Sequence, residues 1–593
     1  MVGILPTVSL LLSNSNVALA AASGACPPLG AVLPAPTRPS AHEAVRCAAA
    51  SFEDAFRQNI TASLNATGIS VALQSIHEAA PILDLHHTPP FLNPNGTHEI
   101  DARSVYRLGS ISKIFAVLSV LKLGNVAFDD PVTKYVPELR QLRGETETPE
   151  VDDITAVQWD QVTIGALASH MSGIGSDLVA DLATVPGPWT ELGLPATNAS
   201  LLPNCAGVLG LPPCDRAQFF RDFGKRHPVY APFTTPVYSN AASAVLSFVV
   251  EAVAANNSNN TKTTYADFVQ REILNPLGMT NTTVHTGPAR DAWGFIPLGE
   301  TWWGASLGYE DAAGGLYSNT EDLLRLGTGI LRHAVLDGGA AATRKWMKPV
   351  ASTSSSGLAM GAPWEILRSM TATADGRLVE FYCKAGNLHT YNNMLCLIPD
   401  YDLVLTILSG GAESGSRLVD GTLSAVVKTL LPAIETAGRD QAARLIAGTY
   451  GDAATNSSVT LALDGDDAGP GLKVTSWVVR GVDVIANYAG YGALSSSSST
   501  GDVTVSVRLY PTNLESGSRT AWRAVFDVGT PEEISAYEDA MFWPNAGCAT
   551  WGKMDRFVYQ FRSIDEFAIE TNEDGEAFAM TLHGFQVALK REV

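Results

Sequence analysis

Apolar positions run almost without break from Ile111 to Leu123, interrupted only by two serines and two lysines, and Gly124 follows. That pattern predicts a helix buried on nearly every side and ended by the glycine. Ala241 to Val253 repeats it behind a Pro-rich loop. Short strand-like runs, among them Ile69 to Gln74 and Leu378 to Cys383, alternate with helical stretches from about Ala41 to about Thr436, the texture of a mixed α/β domain. After Ala437 the period changes to two. Ser458 to Leu463, Lys473 to Val479, Val503 to Leu509, Ala521 to Val528, Phe557 to Phe561 and Phe578 to Leu582 alternate apolar with polar residues between Gly, Asn, Asp and Ser turns, which predicts an all-β sandwich or barrel. Ser495 to Thr500 reads as a low-complexity loop. At the other end, the apolar stretch Gly3 to Leu12 followed by Ala18, Ala20, Ala21 and Ala22 resembles a secretory leader. The expected division is a signal peptide at 1–22, a Pro-rich tail at 23–44, an α/β domain at 45–436 and an all-β domain at 437–593.

Composition narrows the possible functions. The 593 residues carry 39 Lys+Arg against 60 Asp+Glu, a formal net charge of -21, and no local basic patch offsets it. Phosphate backbones and anionic lipid heads are repelled by such a chain, so neither nucleic acid nor a membrane surface is an expected partner. With 46% hydrophobic and 17% charged residues the composition is globular, and no apolar run approaches the ~20 residues that a membrane span needs. An extracellular destination is consistent with N-x-S/T sequons at Asn59, Asn65, Asn95, Asn198, Asn256, Asn259, Asn281 and Asn456. Seven cysteines fit the same compartment. Cys205 and Cys214 bracket a Pro-containing loop, Cys383 and Cys396 bracket a hairpin, and either pair can close locally; Cys26 can reach Cys47, which leaves Cys548 over. No cysteine or histidine cluster has zinc spacing, so no metal or other cofactor is expected.

Two serine signatures occur. Gly304-Ala-Ser306-Leu-Gly308 matches a nucleophile elbow, but no strand pattern precedes it and helix breakers follow, so the serine lacks the strand-turn-helix setting that the motif requires. Ser110-Ile-Ser-Lys113 is better placed. At i and i+3 on one helix face, roughly 5–6 Å apart at Cβ, Lys113 can take the Ser110 proton while the free N–H groups of the helix start face a developing oxyanion. Burial lowers a lysine toward the neutral form that a base needs. Ser119-Val-Leu-Lys122 also matches but lies mid-helix. Two further short motifs follow in order: Tyr238-Ser-Asn240 opens the second apolar helix, and Lys384-Ala-Gly386 follows a strand. Tyr391-Asn-Asn393 and Lys122-Leu-Gly124 match as well, yet only 110, 238 and 384 combine chain order, wide spacing and the right element context.

The triple resembles the serine β-lactamase and penicillin-binding protein superfamily, whose signatures are S-x-x-K, Y-x-N and K-T-G. Leu167-Ala-Ser-His170-Met-Ser172-Gly173-Ile174 is similar to that superfamily's L-L-S-H-T-S-G-L segment; Asn275 to Met279 and Gly314 to Ser318 are similar to later landmarks. The resemblance, strongest to the class C, D,D-carboxypeptidase and esterase branch and to fungal secreted β-lactamase-like proteins, implies an antiparallel sheet flanked by helices with a helical subdomain. It also implies that Ser110 forms an acyl-enzyme with Lys113 as base, that Tyr238 shuttles protons and that Asn240 contacts the substrate amide. Lys384 would hold Tyr238 electrostatically, and the strand at Gly386 and Asn387 would complete the oxyanion hole. His389 would line the cleft, and His170 would be a structural residue near it. A threonine hydroxyl that would meet a substrate carboxylate is absent at Ala385. The expected substrate is therefore a small molecule or peptide with an ester or amide carbonyl. An acyltransferase and a catalytically silent binding protein on the same fold remain the alternatives, and nothing in the β domain reads as catalytic.

Overall fold

The computed structural model describes residues 26–592 apart from 143–152, 178–180, 199–201, 206–210, 259–262, 285–290, 300, 464–468, 492–503 and most of 531–549. The expected leader and the sequon at Asn259 lie outside the described residues. The chain divides into two compact units, one of 35–369 with 379–437, the other of 1–34, 370–378 and 438–593.

The first unit is built on an eight-stranded antiparallel sheet. Its strands are β1 (Thr67–Ser75), β2 (Leu83–His87), β3 (Ala351–Ser352), β4 (Leu358–Met360), β5 (Glu365–Ser369), β6 (Val379–Leu388), β7 (Tyr391–Ile398) and β8 (Leu403–Gly411), in the spatial order β2-β1-β8-β7-β6-β5-β4-β3. Every residue of β7 and β8 is buried, including the polar Asn392, Asn393, Thr406 and Ser409. Helix α1 (Ser112–Lys122), helix α2 (Asn240–Ser258) and helix α3 (Thr320–Leu331) contribute to the core of this unit. Of α1, Ser112 to Val120 is buried on all sides, as its pattern predicts. Cys383 on β6 stands opposite Cys396 on β7, and the two are disulfide-bonded, as are Cys205 and Cys214.

The second unit is a closed barrel. Strands β9 (Gly448–Asp452), β10 (Ser457–Ala462), β11 (Leu472–Val479), β12 (Val505–Ser516), β13 (Arg519–Val528), β14 (Glu566–Thr571), β15 (Ala577–Leu582) and β16 (Val587–Arg591) follow the order β10-β9-β16-β15-β14-β13-β12-β11, and pairing of β10 with β11 closes it. Tyr450, Trp477, Trp522 and Phe567 fill the centre.

Three expectations change. Phe557 to Phe561 is no barrel strand: among the described residues Val558–Tyr559 pairs only with Arg562–Ser563, and Phe561 is fully exposed. Of its aromatics, Phe557 meets the Tyr488 ring at 5.6 Å, whereas Tyr559 and Phe561 stay exposed. The Pro-rich 23–44 segment is no free tail over its whole length, because Val32 and Leu33 are buried in the barrel core. Cys26 is disulfide-bonded while Cys47 is a free, exposed thiol, so those two do not pair.

Candidate active site

Ser110 lies in a single 3-10 turn, Gly109–Ile111, that runs into α1. Two glycines let the end of β6 press against this turn. Gly109 has φ +57, and a Cβ there would sit 2.7 Å from the Asn387 backbone nitrogen; a Cβ on Gly386 would meet the Leu108 carbonyl oxygen at 2.0 Å. Any side chain at either position pushes the strand away from the serine. Lys384, Gly386 and Asn387 are thereby brought beside Ser110 by backbone contact.

The helical i, i+3 relation places Lys113 Nζ 3.0 Å from Ser110 Oγ. The same nitrogen is 2.7 Å from Asn240 Oδ1 and 2.8 Å from the Ala313 carbonyl oxygen. Asn240 cannot be turned round, because its Nδ2 donates to both Asp177 carboxylate oxygens at 3.0 and 3.1 Å. Asn240 Oδ1 and the Ala313 carbonyl are thus obligatory acceptors for Lys113. A neutral amine gives them its two hydrogens and keeps its lone pair for the Ser110 hydroxyl, which is the arrangement a general base requires. Burial lowers the Lys113 pKa, and the Lys384 charge lowers it further against the opposing pull of Tyr238.

Tyr238 donates to Ser110 Oγ at 2.6 Å. Its ring carries Lys113 Nζ 4.8 Å and Lys384 Nζ 5.2 Å from the centroid. Burial alone would raise the phenol, but the two lysines outweigh it and lower its pKa. Lys384 is buried and bonded to Glu365 Oε1 at 2.5 Å. Burial would lower its pKa; the Glu365 charge overcomes that and raises it, so Lys384 stays cationic. Glu365 also accepts the Ala385 N–H at 2.9 Å, which fixes its carboxylate across β5 and β6.

His170 holds the tyrosine from behind. It has φ +61, its ring stacks on Tyr238 at 4.5 Å between centroids, its carbonyl accepts the Val237 N–H and its Nδ1 accepts the Ser239 N–H at 3.2 Å. Burial, assisted by both lysines, keeps it well below the ordinary imidazole range and therefore neutral. His389, in the β6–β7 turn at φ +51, is exposed and its ring meets Trp302 at 5.1 Å.

The competing motifs are occupied elsewhere. Ser306 is exposed and accepts the Gly308 N–H, Ser119 is buried mid-helix, Lys122 donates to the Val335 carbonyl, and Asn393 donates to the Arg107 carbonyl. Glu365, Asp177 and the Ala313 carbonyl were not foreseen. Glu365 follows Ala-Pro-Trp and Asp177 follows Gly-Ile-Gly-Ser, and neither stretch carries a spacing that marks a site. Among the described residues no group of His, Cys, Asp and Glu could hold a metal ion, and no helix is long and apolar enough to cross a membrane.

Glu365→Gln is expected to move the Tyr238-dependent limb of the pH–rate profile to higher pH by about one unit. The variant removes the charge that lifts Lys384, a less charged Lys384 stabilises the phenolate less, and the phenol pKa rises. Measuring kcat/KM against pH for both proteins checks this; superimposable limbs would show that Glu365 does not act through Tyr238.

A sheet flanked by helices, with a lysine-paired serine at a helix start and a tyrosine closing on it, defines a protein of the β-lactamase and penicillin-binding fold. Residues 56–428 match the family described as Beta-lactamase, residues 438–593 match the one described as Beta-lactamase-like-like, C-terminal domain, and the chain belongs to the beta-lactamase family. It is 30% identical to a Beta-lactamase-like protein of Arthroderma benhamiae over 95% of either chain. To the Probable hydrolase clz13 of Cochliobolus lunatus it is 23% identical over 91% of this chain and 88% of that one. Among solved structures, the octameric penicillin-binding protein homologue from Pyrococcus abyssi matches with a TM-score of 0.46 and 15% identity over 91% of this chain and 99% of that one. A D-stereospecific amidohydrolase from Streptomyces sp. matches with a TM-score of 0.44 and 19% identity over 65% of this chain and 98% of that one.

Proposed function

We propose that the protein is a secreted serine hydrolase that cleaves an ester or amide carbonyl of a small molecule or peptide through a Ser110 acyl-enzyme. The observation that carries this reading is the convergence of Lys113 Nζ at 3.0 Å and Tyr238 OH at 2.6 Å on Ser110 Oγ. Lys113 takes the hydroxyl proton as Oγ bonds to the carbonyl carbon, and the carbonyl π electrons move to oxygen. The Ser110 and Asn387 N–H groups face that oxyanion. Tyr238 delivers its proton to the leaving oxygen or nitrogen as that bond breaks and is reprotonated from Lys113. Water, deprotonated through the same pair, then releases the acid and regenerates Ser110. Asn240 orients the substrate amide and keeps Lys113 in place. Lys384 favours the transient phenolate, and His389 borders the cleft.

Ala385 has no hydroxyl to receive a substrate carboxylate, and the Glu365 carboxylate bonded to its N–H places negative charge beside it. An uncharged substrate end suits this strand better than the carboxylate of a β-lactam. Incubation with a fluorophosphonate and intact-mass analysis is expected to show one adduct, mapped to the peptide containing Ser110; an adduct on Ser306 or none at all overturns the assignment.

Secretion is supported by the sequons. Asn59, Asn65, Asn95, Asn198, Asn256 and Asn456 are exposed, Asn281 is half-buried. Protein recovered from a eukaryotic host's medium is expected to lose mass on treatment with an N-glycosidase, with Asn converted to Asp at those exposed positions; unchanged mass would count against an extracellular route.

A further inference from the structure

Arg107 stands three residues before Ser110, is fully buried and takes no part in the proposed reaction. Its Nη1 donates to three backbone carbonyls of one loop, those of Trp302 at 2.6 Å, Trp303 at 3.0 Å and Ala305 at 2.8 Å. Hydrogen bonds from a charged donor are the strong ones, so this loop is fixed to the segment that leads into the nucleophile turn. The two tryptophans then divide. Trp303 is buried, its Nε1 donating to Asp291 Oδ1 at 2.9 Å and its ring edge-on to Tyr317 at 5.1 Å. Trp302 stays half-buried, and its ring lies 5.1 Å from that of the exposed His389 at a 35° tilt. Both partners hold the left-handed backbone, φ +55 and +51, which residues with a side chain adopt rarely and keep only where their surroundings hold them.

This aromatic pair borders the cleft on a definite side. The loop reaches the nucleophile turn, since a Cβ on Gly314 would touch Leu307 Cδ1 at 3.5 Å and Gly109 Cα at 3.9 Å. His389 follows Asn387 by two residues, within about 7 Å at the rise of ~3.3 Å per strand residue. Tyr238, the donor to the leaving group, stands at the other end of the same strand segment, with Lys384 Nζ 5.2 Å from its ring centroid. A carbonyl carbon held between Ser110 and the Asn387 N–H with its leaving group toward Tyr238 directs its acyl substituent the other way, toward His389 and Trp302. We propose that Trp302 and His389 form the acyl-side subsite of the hydrolase and select an acyl group that carries an aromatic ring on a short linker. Offset or edge-on contact between rings adds to the energy of burying them, which an aliphatic chain end does not match. The proposal rests on the acyl-enzyme reading of Ser110.

The test compares kcat/KM of the full-length chain for p-nitrophenyl 3-phenylpropionate and p-nitrophenyl butyrate, which share the leaving group and differ in whether the acyl chain ends in a ring. Wild type is expected to favour the phenylpropionate by about 3- to 10-fold. His389→Ala and Trp302→Ala are each expected to lower kcat/KM for that ester about 3- to 10-fold more than for the butyrate. His389 is exposed, so its variant is expected to fold whether or not the loss of Trp302 loosens the loop. A wild type without the preference, a ratio unmoved in His389→Ala, or equal losses for both esters overturns the subsite and leaves the acyl-enzyme standing. No turnover of either ester by wild type overturns the acyl-enzyme reading and the subsite with it.

Discussion

Ser110→Ala is expected to lower kcat toward an activated ester by at least ~10⁴-fold and to abolish fluorophosphonate labelling, because no other group at the site can form the covalent intermediate. KM is expected to change far less, since Asn240, Asn387 and His389 remain in place. The fold should be indifferent: Ser110 is only half-buried, and deleting its hydroxyl leaves Lys113 with two acceptors and Tyr238 with a free edge toward solvent. Stability within about 1 kcal/mol of wild type, measured by urea unfolding, separates loss of chemistry from loss of structure. A variant that keeps its turnover would require a different nucleophile, and Ser306, exposed and outside the Lys113 cluster, is the first to examine next.

The site was legible where its parts are local and illegible where they depend on register. Ser110 and Lys113 are three residues apart on one helix start, so periodicity alone pairs them. Tyr238 and Lys384 carry no such local signal; their order and element context, read against a family pattern, single them out from Tyr391 and Lys122. Glu365 is different. It reaches Lys384 because β5 pairs with β6 such that Glu365 stands opposite Cys383, a relation created by the sheet and invisible along the chain. Asp177 likewise matters only because it fixes the Asn240 amide from 63 residues away. His170, expected from the sequence to be a structural residue near the site, stacks its ring on Tyr238 and accepts the Val237 N–H on its carbonyl and the Ser239 N–H on its Nδ1.

The β unit shows the same division. Strands with clean alternation, such as Lys473 to Val479, appear where expected, whereas Gly448–Asp452 holds two glycines and a single buried Tyr450, too little to announce a strand. Closure through β10 and β11 decides between barrel and sandwich, and alternation cannot, because both architectures bury one face of each strand. The Pro-rich stretch failed as a tail for a related reason: composition reports the absence of periodicity, not whether two apolar residues such as Val32 and Leu33 find a core.

Lys113→Met is expected to lower kcat/KM by ~10³–10⁴-fold while leaving Ser110 in place, since methionine matches the length of the side chain but cannot take a proton. Lys113→Arg, which restores a cation and donors but does not deprotonate, should be no more active; recovery by arginine would mean that charge, not base strength, is what the serine needs. Stability carries a second signature. The Lys113 pKa is lowered from the ordinary value of 10.5 by burial, so between the folded value and 10.5 the unfolded chain binds more protons than the native one, and wild-type stability gains with pH across that window. Tyr238, lowered partly by Lys113, contributes with the same sign. Lys113→Met removes the first contribution and weakens the second, which Lys384 still supports, so the difference between wild-type and variant unfolding free energies should widen in favour of wild type as pH rises toward 10.5. At any pH the variant also leaves Asn240 Oδ1 and the Ala313 carbonyl without their donor, a loss of about 1–3 kcal/mol for each buried group left unsatisfied. A flat difference across the alkaline range would show that Lys113 is charged in the native state, and the serine would then have to surrender its proton to Tyr238 alone.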